Sequence, residues 1–194
     1  MHSTGRQVAI TGIGVVAPGG VGVKNFWSLL CEGRTATRTV TFFDPAPFRS
    51  RIAAEVDFDP EAHGLGPREL RRMDRAAQFA VATAREAVEN SGLGMSEVDP
   101  TRIAVTVGSA IGASMKLEEE YRAASDDGRL ELLDEFYASK HLYDFFVPSS
   151  IVAEVAWTVG AEGHATLVST GCTSGVDAVG YGACLLYTSD AADE

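Results

Sequence analysis

Val168 to Gly182 reads VSTGCTSGVDAVGYG. The segment opens as a short apolar run, passes through Gly171 into Cys172, and continues with small residues before the helical spacing of Val176 and Val179. Strand, tight turn and helix in that order predict a nucleophile elbow, with Cys172 standing on the turn at the helix start. The helix dipole and the free N–H groups of a first turn favour a thiolate there. Gly171 and Gly175 permit the tight turn and a close approach of substrate. A cysteine without such a setting is by default a buried, inert residue; in this one the reactive reading prevails.

Working outward, Ala165 to Ser169 is the strand that feeds the turn, and Ser149 to Val159 (SSIVAEVAWTV) is a helix with Ser149 or Ser150 as its cap. Arg102 to Ser109 (RIAVTVGS) is apolar at nearly every position, as a strand covered on both faces would be. Between these, Met115 to Ala138 is acidic and helical in parts, broken at Asp126-Asp127-Gly128. Arg68 to Ser91 predicts one long helix, with Pro67 before its first turn and Gly92 after its last. Leu70, Met73, Ala77, Ala80, Val81, Ala84 and Val88 form its apolar stripe, and Arg68, Arg71, Arg72 and Arg75 fall on the opposite side. Nearer the start, Asn25 to Cys31 reads as a short helix closed by Gly33, Ser50 to Phe58 as an edge strand, and Arg6 to Ile13 (RQVAITGI) as a buried strand. Helices and strands alternate throughout, which predicts an α/β layer fold.

Composition narrows the partners. The chain has 194 residues, 16 Lys and Arg against 27 Asp and Glu, and a net charge of −11. That balance argues against coating nucleic acid or an anionic membrane through overall charge. With 45% hydrophobic and 22% charged residues it can build a core. No bilayer-length apolar run and no secretory leader is visible. Cys31, Cys172 and Cys184 cannot all pair, which suits a reducing cytoplasm; Cys31 is expected in the core. A soluble cytoplasmic protein follows as the expectation.

Two motifs are set aside. Gly12-Ile13-Gly14-Val15-Val16-Ala17 fits the loose dinucleotide pattern, but Pro18-Gly19-Gly20 and Gly22 follow where the phosphate-binding helix should open. A glycine turn after a strand is the better reading. Cys184 to Glu194 (CLLYTSDAADE) resembles the translation of a transposon-end adapter used in sequencing libraries. Residues 184–194 are therefore expected to be non-native and residues 1–183 to be one domain part, with a natural acidic C-terminus as the alternative. The eleven residues carry Asp190, Asp193 and Glu194, so without them the charge is −8.

STGCTSG with Asp177 and VGYG resembles the active-site segment of β-ketoacyl synthases in the thiolase superfamily, most of all the α ketosynthase subunit of type II aromatic polyketide synthases. VAITGIGVVAPGGVG, RRMDRAAQFAVATAREAVENSGL, VGSAIGA and FFVPSSIVAEVAW share the resemblance, which runs from about Arg6 to Ala183. It implies the N-terminal half of a thiolase-like layered α/β fold, a mixed sheet with covering helices. It also implies decarboxylative Claisen condensation of malonyl units onto an acyl or polyketide chain held as a thioester on Cys172. The chain-length factor, the non-catalytic partner, carries Gln at the position of Cys172, so the cysteine favours the catalytic subunit.

Further roles are implied by the resemblance alone. The Cys172 N–H would be one oxyanion donor. Ile111 would line the acyl pocket, with a plain core residue as the equal alternative. Phe145, Phe146 and Pro148 would lie near pocket and dimer interface, Phe146 as a substrate contact. Arg68, Arg71 and Arg72 would dock the acidic acyl carrier protein, Arg75 less directly, against the alternative of a solvated face. The partners implied are that carrier protein and a chain-length-factor subunit, with a homodimer if the enzyme instead elongates fatty acids. A non-catalytic dimerisation protein is the reading from another class. No metal and no cofactor of its own is implied, since acyl groups arrive on the carrier's phosphopantetheine.

The family's two histidines and lysine lie beyond Ala183, so the fragment is expected to be inactive alone. His2, His63 and His141 read as surface residues. His164 begins the strand that leads to Cys172, and eight extended residues span roughly 25 Å.

Overall fold

The computed structural model describes residues 7–130, 136 and 139–189. Its decisive feature is a parallel strand pair with helices on both faces. A hairpin of β1 (Val16–Ala17) and β2 (Gly20–Val21) leads into α1 (Val23–Cys31). A second antiparallel pair, β3 (Thr37–Thr39) and β4 (Ile52–Ala54), precedes α2 (Pro67–Arg72) and α3 (Arg75–Ser91). Then come β5 (Val105–Gly108), α4 (Met115–Ala124), α5 (Leu142–Phe146), α6 (Ser150–Val159), β6 (Ala165–Val168) and α7 (Ser174–Ser189).

β5 and β6 pair in parallel, Val105 opposite Ala165 and Gly108 opposite Val168. A parallel pair needs a crossover, and α4 to α6 supply it. Strand periodicity sorts the two faces. Val105, Val107 and Leu167 pack into the core with Met73, Ala77 and Val81 of the α2–α3 region and Ile151, Val152 and Val155 of α6. On the other face, the Thr106 hydroxyl donates to the Ala178 carbonyl of α7 at 2.9 Å. Both strand senses expected of a mixed sheet are present among the described residues, in three two-stranded sheets, two antiparallel and one parallel.

Several expectations are corrected. Gln7 to Ile13 joins no ladder, and Ile10 is 77% exposed. An apolar β-branched run becomes a strand only beside a neighbour that takes its N–H and C=O groups. Here the segment leads instead along α3, so closely that a Cβ at Gly12 would lie 2.0 Å from the Ala87 carbonyl oxygen. Arg6 and His2 lie outside the described residues.

The long helix is two helices. Met73 and Asp74 are extended, and Asp74 caps α3 by accepting from the Ala76 N–H at 3.0 Å. Its second oxygen accepts from the Lys116 N–H at 2.8 Å, tying in the start of α4. An aspartate that finds such backbone donors favours a helix start over a helix interior. Pro67 and Gly92 do mark the outer ends, Gly92 at φ 68°.

Ser149 precedes α6 but its side chain makes no capping bond. Only Ile52–Ala54 of the expected edge strand is extended into a ladder. Cys31 is exposed rather than in the core, since among the described residues Leu29 is the buried side chain of α1. Helix α7 continues through Cys184 to Ser189, and residues 190–194 lie outside the described part. Among the described residues no helix is long and apolar enough to cross a membrane.

Candidate active site

β6 ends at Val168, and Gly171–Thr173 forms one tight helical turn before α7 begins at Ser174. Gly171 has φ 74°, a left-handed conformation that side chains resist, so the chain reverses there and lifts Cys172 into solvent. The neighbouring strand builds the other side. The Ser109 N–H donates to the Val168 carbonyl at 3.1 Å, continuing the ladder one step past β5. The Ser109 hydroxyl accepts from the Gly112 N–H at 2.9 Å, shaping the loop that carries Ile111. Gly112, at φ 80°, abuts Pro148: a Cβ there would lie 3.2 Å from the proline Cβ.

Cys172 and Ile111 therefore stand on adjoining loops at the C-terminal ends of two parallel strands, the usual position of an α/β site. Pro148 brings the end of α5, with Phe146, to the same corner. Among the described residues nothing closes them into a pocket: Ile111 is 79% and Phe146 61% exposed. The Phe145 side chain lies outside the described part.

Ser174 is buried under the turn, its hydroxyl accepting from the Thr170 N–H at 3.0 Å and donating to the Gly171 carbonyl at 2.6 Å. Asp177, one helical turn further, accepts from the hydroxyls of Thr170 and Thr173. Those two hydrogen bonds, Thr170 first, hold its carboxyl below the ordinary aspartate range, so it is anionic at neutral pH. Asp177 enters the sequence reading only as part of the resemblance. The i, i+4 spacing of Thr173 and Asp177 is the signal that marks it as a local hydrogen-bonding partner.

The arginine stripe divides. Arg68 and Arg71 are exposed. Arg72 instead makes a two-point pair with Glu154 of α6, Nε to Oε1 at 2.6 Å and Nη2 to Oε2 at 2.8 Å. Glu154 is 5% exposed, and the guanidinium also lies 5.4 Å from the Trp157 ring centroid. Arg75 turns inward, donating to the Val56 carbonyl at 2.8 Å between the rings of Phe42 and Phe79. The lone acid inside the apolar run SIVAEVAWTV was the available sequence signal for a buried partner of Arg72.

Removing one member of a fully buried pair costs about 3–5 kcal/mol, because the other charge stays desolvated. The Arg72 side chain is 33% exposed, which lets water reach the pair. Arg72→Ala is therefore expected to destabilise the protein by roughly 2–3 kcal/mol, read as a lower midpoint in urea. An unchanged midpoint would reject the pair as a stabilising contact.

The described histidines are engaged elsewhere. His63 is half-buried and stacks on Phe58 at 4.9 Å, and His141 is half-buried with Nδ1 2.8 Å from an Asp144 oxygen. Neither is the plain surface residue expected. His164 sits at the far end of β6 with Nε2 3.2 Å from the Tyr181 hydroxyl, as its distance from Cys172 along the strand requires.

A cysteine raised on a strand–turn–helix corner, beside a parallel strand pair with helices on both faces, places the chain among the thiolase-like α/β folds. It belongs to the β-ketoacyl synthase family: the profile described as "Beta-ketoacyl synthase, N-terminal domain" matches residues 5–191. The tetracenomycin polyketide synthase ketoacyl synthase alpha subunit of Streptomyces glaucescens is 56% identical over 181 residues, 93% of this chain and 42% of that protein. Among solved structures, the ishigamide ketosynthase/chain length factor superposes with a TM-score of 0.84 at 30% identity, over 96% of this chain and 45% of that one. A type II polyketide synthase acyl-carrier protein in complex with its ketosynthase bound to the hexaketide gives 0.77 at 29% identity, over 92% and 41%. The chain spans about two fifths of the length of the relatives it matches.

Proposed function

We propose that this chain is the nucleophile-bearing half of a polyketide β-ketoacyl synthase. The observation that carries the reading is Cys172, exposed on a turn at the C-terminal ends of β5 and β6. In the complete enzyme the Cys172 thiolate attacks the thioester carbonyl of an acyl or polyketide chain on the carrier protein's phosphopantetheine. The carrier thiol departs and takes up a proton, leaving the chain on Cys172. A malonyl unit on a second carrier then loses CO2, and its carbanion attacks the Cys172 thioester. The new carbon–carbon bond displaces the thiolate and lengthens the chain by two carbons. The Cys172 N–H donates to the oxyanion that forms at the carbonyl. The histidines and lysine that assist decarboxylation belong to the half not spanned here, so residues 1–194 alone are inactive. No cofactor of its own is required, and the work is cytoplasmic.

The exposed apolar side chains fit a protein made to be covered. Val176 is 77% and Trp157 69% exposed, a degree of apolar exposure that marks contact surfaces. The rest of the ketosynthase and a chain-length-factor subunit are the partners that cover them. The adapter reading of residues 184–194 is part of the same proposal; resequencing the locus should find a coding frame that departs from CLLYTSDAADE after Ala183.

The test is to incubate the complete enzyme and its partner subunit with acyl carrier protein bearing a labelled acyl group, then map adducts by peptide mass. The acyl mass is expected on the Cys172 peptide, and none on that peptide would overturn the reading. Carrier docking falls to Arg68 and Arg71, the exposed arginines of the stripe. Reversing both to Glu is expected to raise the KM for carrier protein roughly tenfold, by loss of complementary charge at the surface, with kcat unchanged. An unchanged KM would leave these two arginines as solvated surface.

A further inference from the structure

We infer that Asp177 is a positioning residue for the nucleophile: with Thr170 and Thr173 it forms a hydrogen-bonded staple across the turn that carries Cys172. The inference rests on the proposed role of Cys172 as the acylated residue, and it names what holds that residue in place.

Besides a contact of the Thr173 hydroxyl with the Thr170 carbonyl at 3.2 Å, the turn has little else to hold its outer side. Gly171 and Gly175 flank it, and a Cβ at either position would meet nothing within 4 Å, so neither glycine is packed. Glycine pays the largest conformational entropy on ordering, and Thr170 makes no side-chain cap to the turn. Ser174 pins the inner side, through the Thr170 N–H and the Gly171 carbonyl. The outer side is pinned by Asp177, whose Oδ2 accepts from both the Thr170 and the Thr173 hydroxyls. Those threonines stand two residues before and one residue after Cys172, so one carboxylate oxygen spans the reactive position. The acceptor is charged, which makes these bonds roughly twice as strong as neutral ones. The contacts of Asp177 are with the brackets of Cys172; its role is geometric.

Geometry matters at this place because a nucleophile displaced by about 1 Å can lose on the order of 100-fold in rate. The test uses the complete enzyme with its partner subunit and three variants: Asp177→Ala, Thr170→Val and Thr170→Ser. Two quantities are read, the single-turnover rate of acyl transfer from carrier protein to Cys172, and amide hydrogen exchange of the peptide spanning residues 168–178. Asp177→Ala and Thr170→Val are expected to slow acyl transfer at saturating carrier protein at least tenfold. Exchange in 168–178 should rise while the rest of the chain keeps wild-type protection. Thr170→Ser retains the hydroxyl and is expected to restore both quantities to within about twofold.

Unchanged exchange in both disruptive variants would overturn the staple. Faster exchange with wild-type acyl transfer would overturn its role in positioning. Should Asp177→Ala fail to fold, the Thr170 pair decides the question alone, since valine keeps the shape of threonine and removes the donor. A wild-type enzyme that takes no acyl group on Cys172 would overturn the proposed function and with it the positioning role, and hydrogen exchange would still report whether the staple exists.

Discussion

Cys172→Ala in the complete enzyme is expected to eliminate acyl-enzyme formation and to lower condensation by at least about 1,000-fold. Covalent catalysis divides one difficult acyl transfer into two easier ones, and alanine leaves nothing to carry the intermediate. The loss should come without a loss of stability. Cys172 is exposed, and exposed substitutions away from caps and networks usually stay within about 0.5 kcal/mol. The measurement needs residue-level mapping, because Cys31 is exposed as well. An alkylating reagent is expected to label both, whereas acyl groups delivered by the carrier protein should reach Cys172 alone. Cys172→Ser, with a hydroxyl in place of a thiol, should retain a small residual rate, since an alcohol is scarcely ionised at neutral pH. Condensation above a tenth of wild type in the alanine variant would place the nucleophile elsewhere.

The part of this site that is legible in the sequence is the part made by near neighbours. Strand, Gly171, Cys172 and helix are contiguous, and each element is specified by its own residues: an apolar run, a glycine that accepts a positive φ, and small residues at the helix start. Arg72 shows the opposite case. Helical spacing places it on a polar face with Arg68 and Arg71, and its structural role is set by Glu154, 82 positions away. No periodicity within α2 announces that partner. Asp74 similarly breaks a helix whose apolar stripe runs on without interruption, because its two oxygens find donors in α3 and α4 at once.

The remaining misreadings share one physical cause. Gln7 to Ile13 and Cys31 lie in apolar surroundings that the sequence assigns to an interior, and both are exposed. Burial is a property of what lies opposite, and apolar character states only that covering would be favourable. The same reasoning applies to Ile111 and Phe146 at the site. Their loops stand at the ends of the parallel pair, and no walls among the described residues enclose them. Fold class and the exposed turn that carries Cys172 are therefore readable from local pattern, whereas pocket and burial depend on distant segments.

Gly108→Ala is expected to be the most damaging conservative substitution tested at this corner. A Cβ at Gly108 would lie 2.2 Å from the Ser174 carbonyl oxygen, 2.3 Å from its carbonyl carbon and 2.6 Å from the Gly175 nitrogen. All three are backbone atoms, so no side chain can rotate out of the way. The end of β5 and the start of α7 must separate by an ångström or more, on the scale of ordinary van der Waals contact. Ser174 is the residue that holds the inner side of the Cys172 turn, so the displacement reaches Cys172 directly. Overpacking of this kind costs about 1–3 kcal/mol, more where nothing can relax, and the shifted turn should slow acyl transfer on the order of 100-fold. Gly33→Ala is the informative comparison. Gly33 also has a positive φ, 62°, but a Cβ there would meet nothing within 4 Å. It should cost only the backbone strain, about 1 kcal/mol, and leave acyl transfer at the wild-type rate. Chemical denaturation and single-turnover transfer on both variants separate the two effects. A Gly108→Ala enzyme with wild-type stability and transfer rate would show that β5 and α7 are not in close contact in the assembled enzyme, and the account of how the turn is held would fail with it.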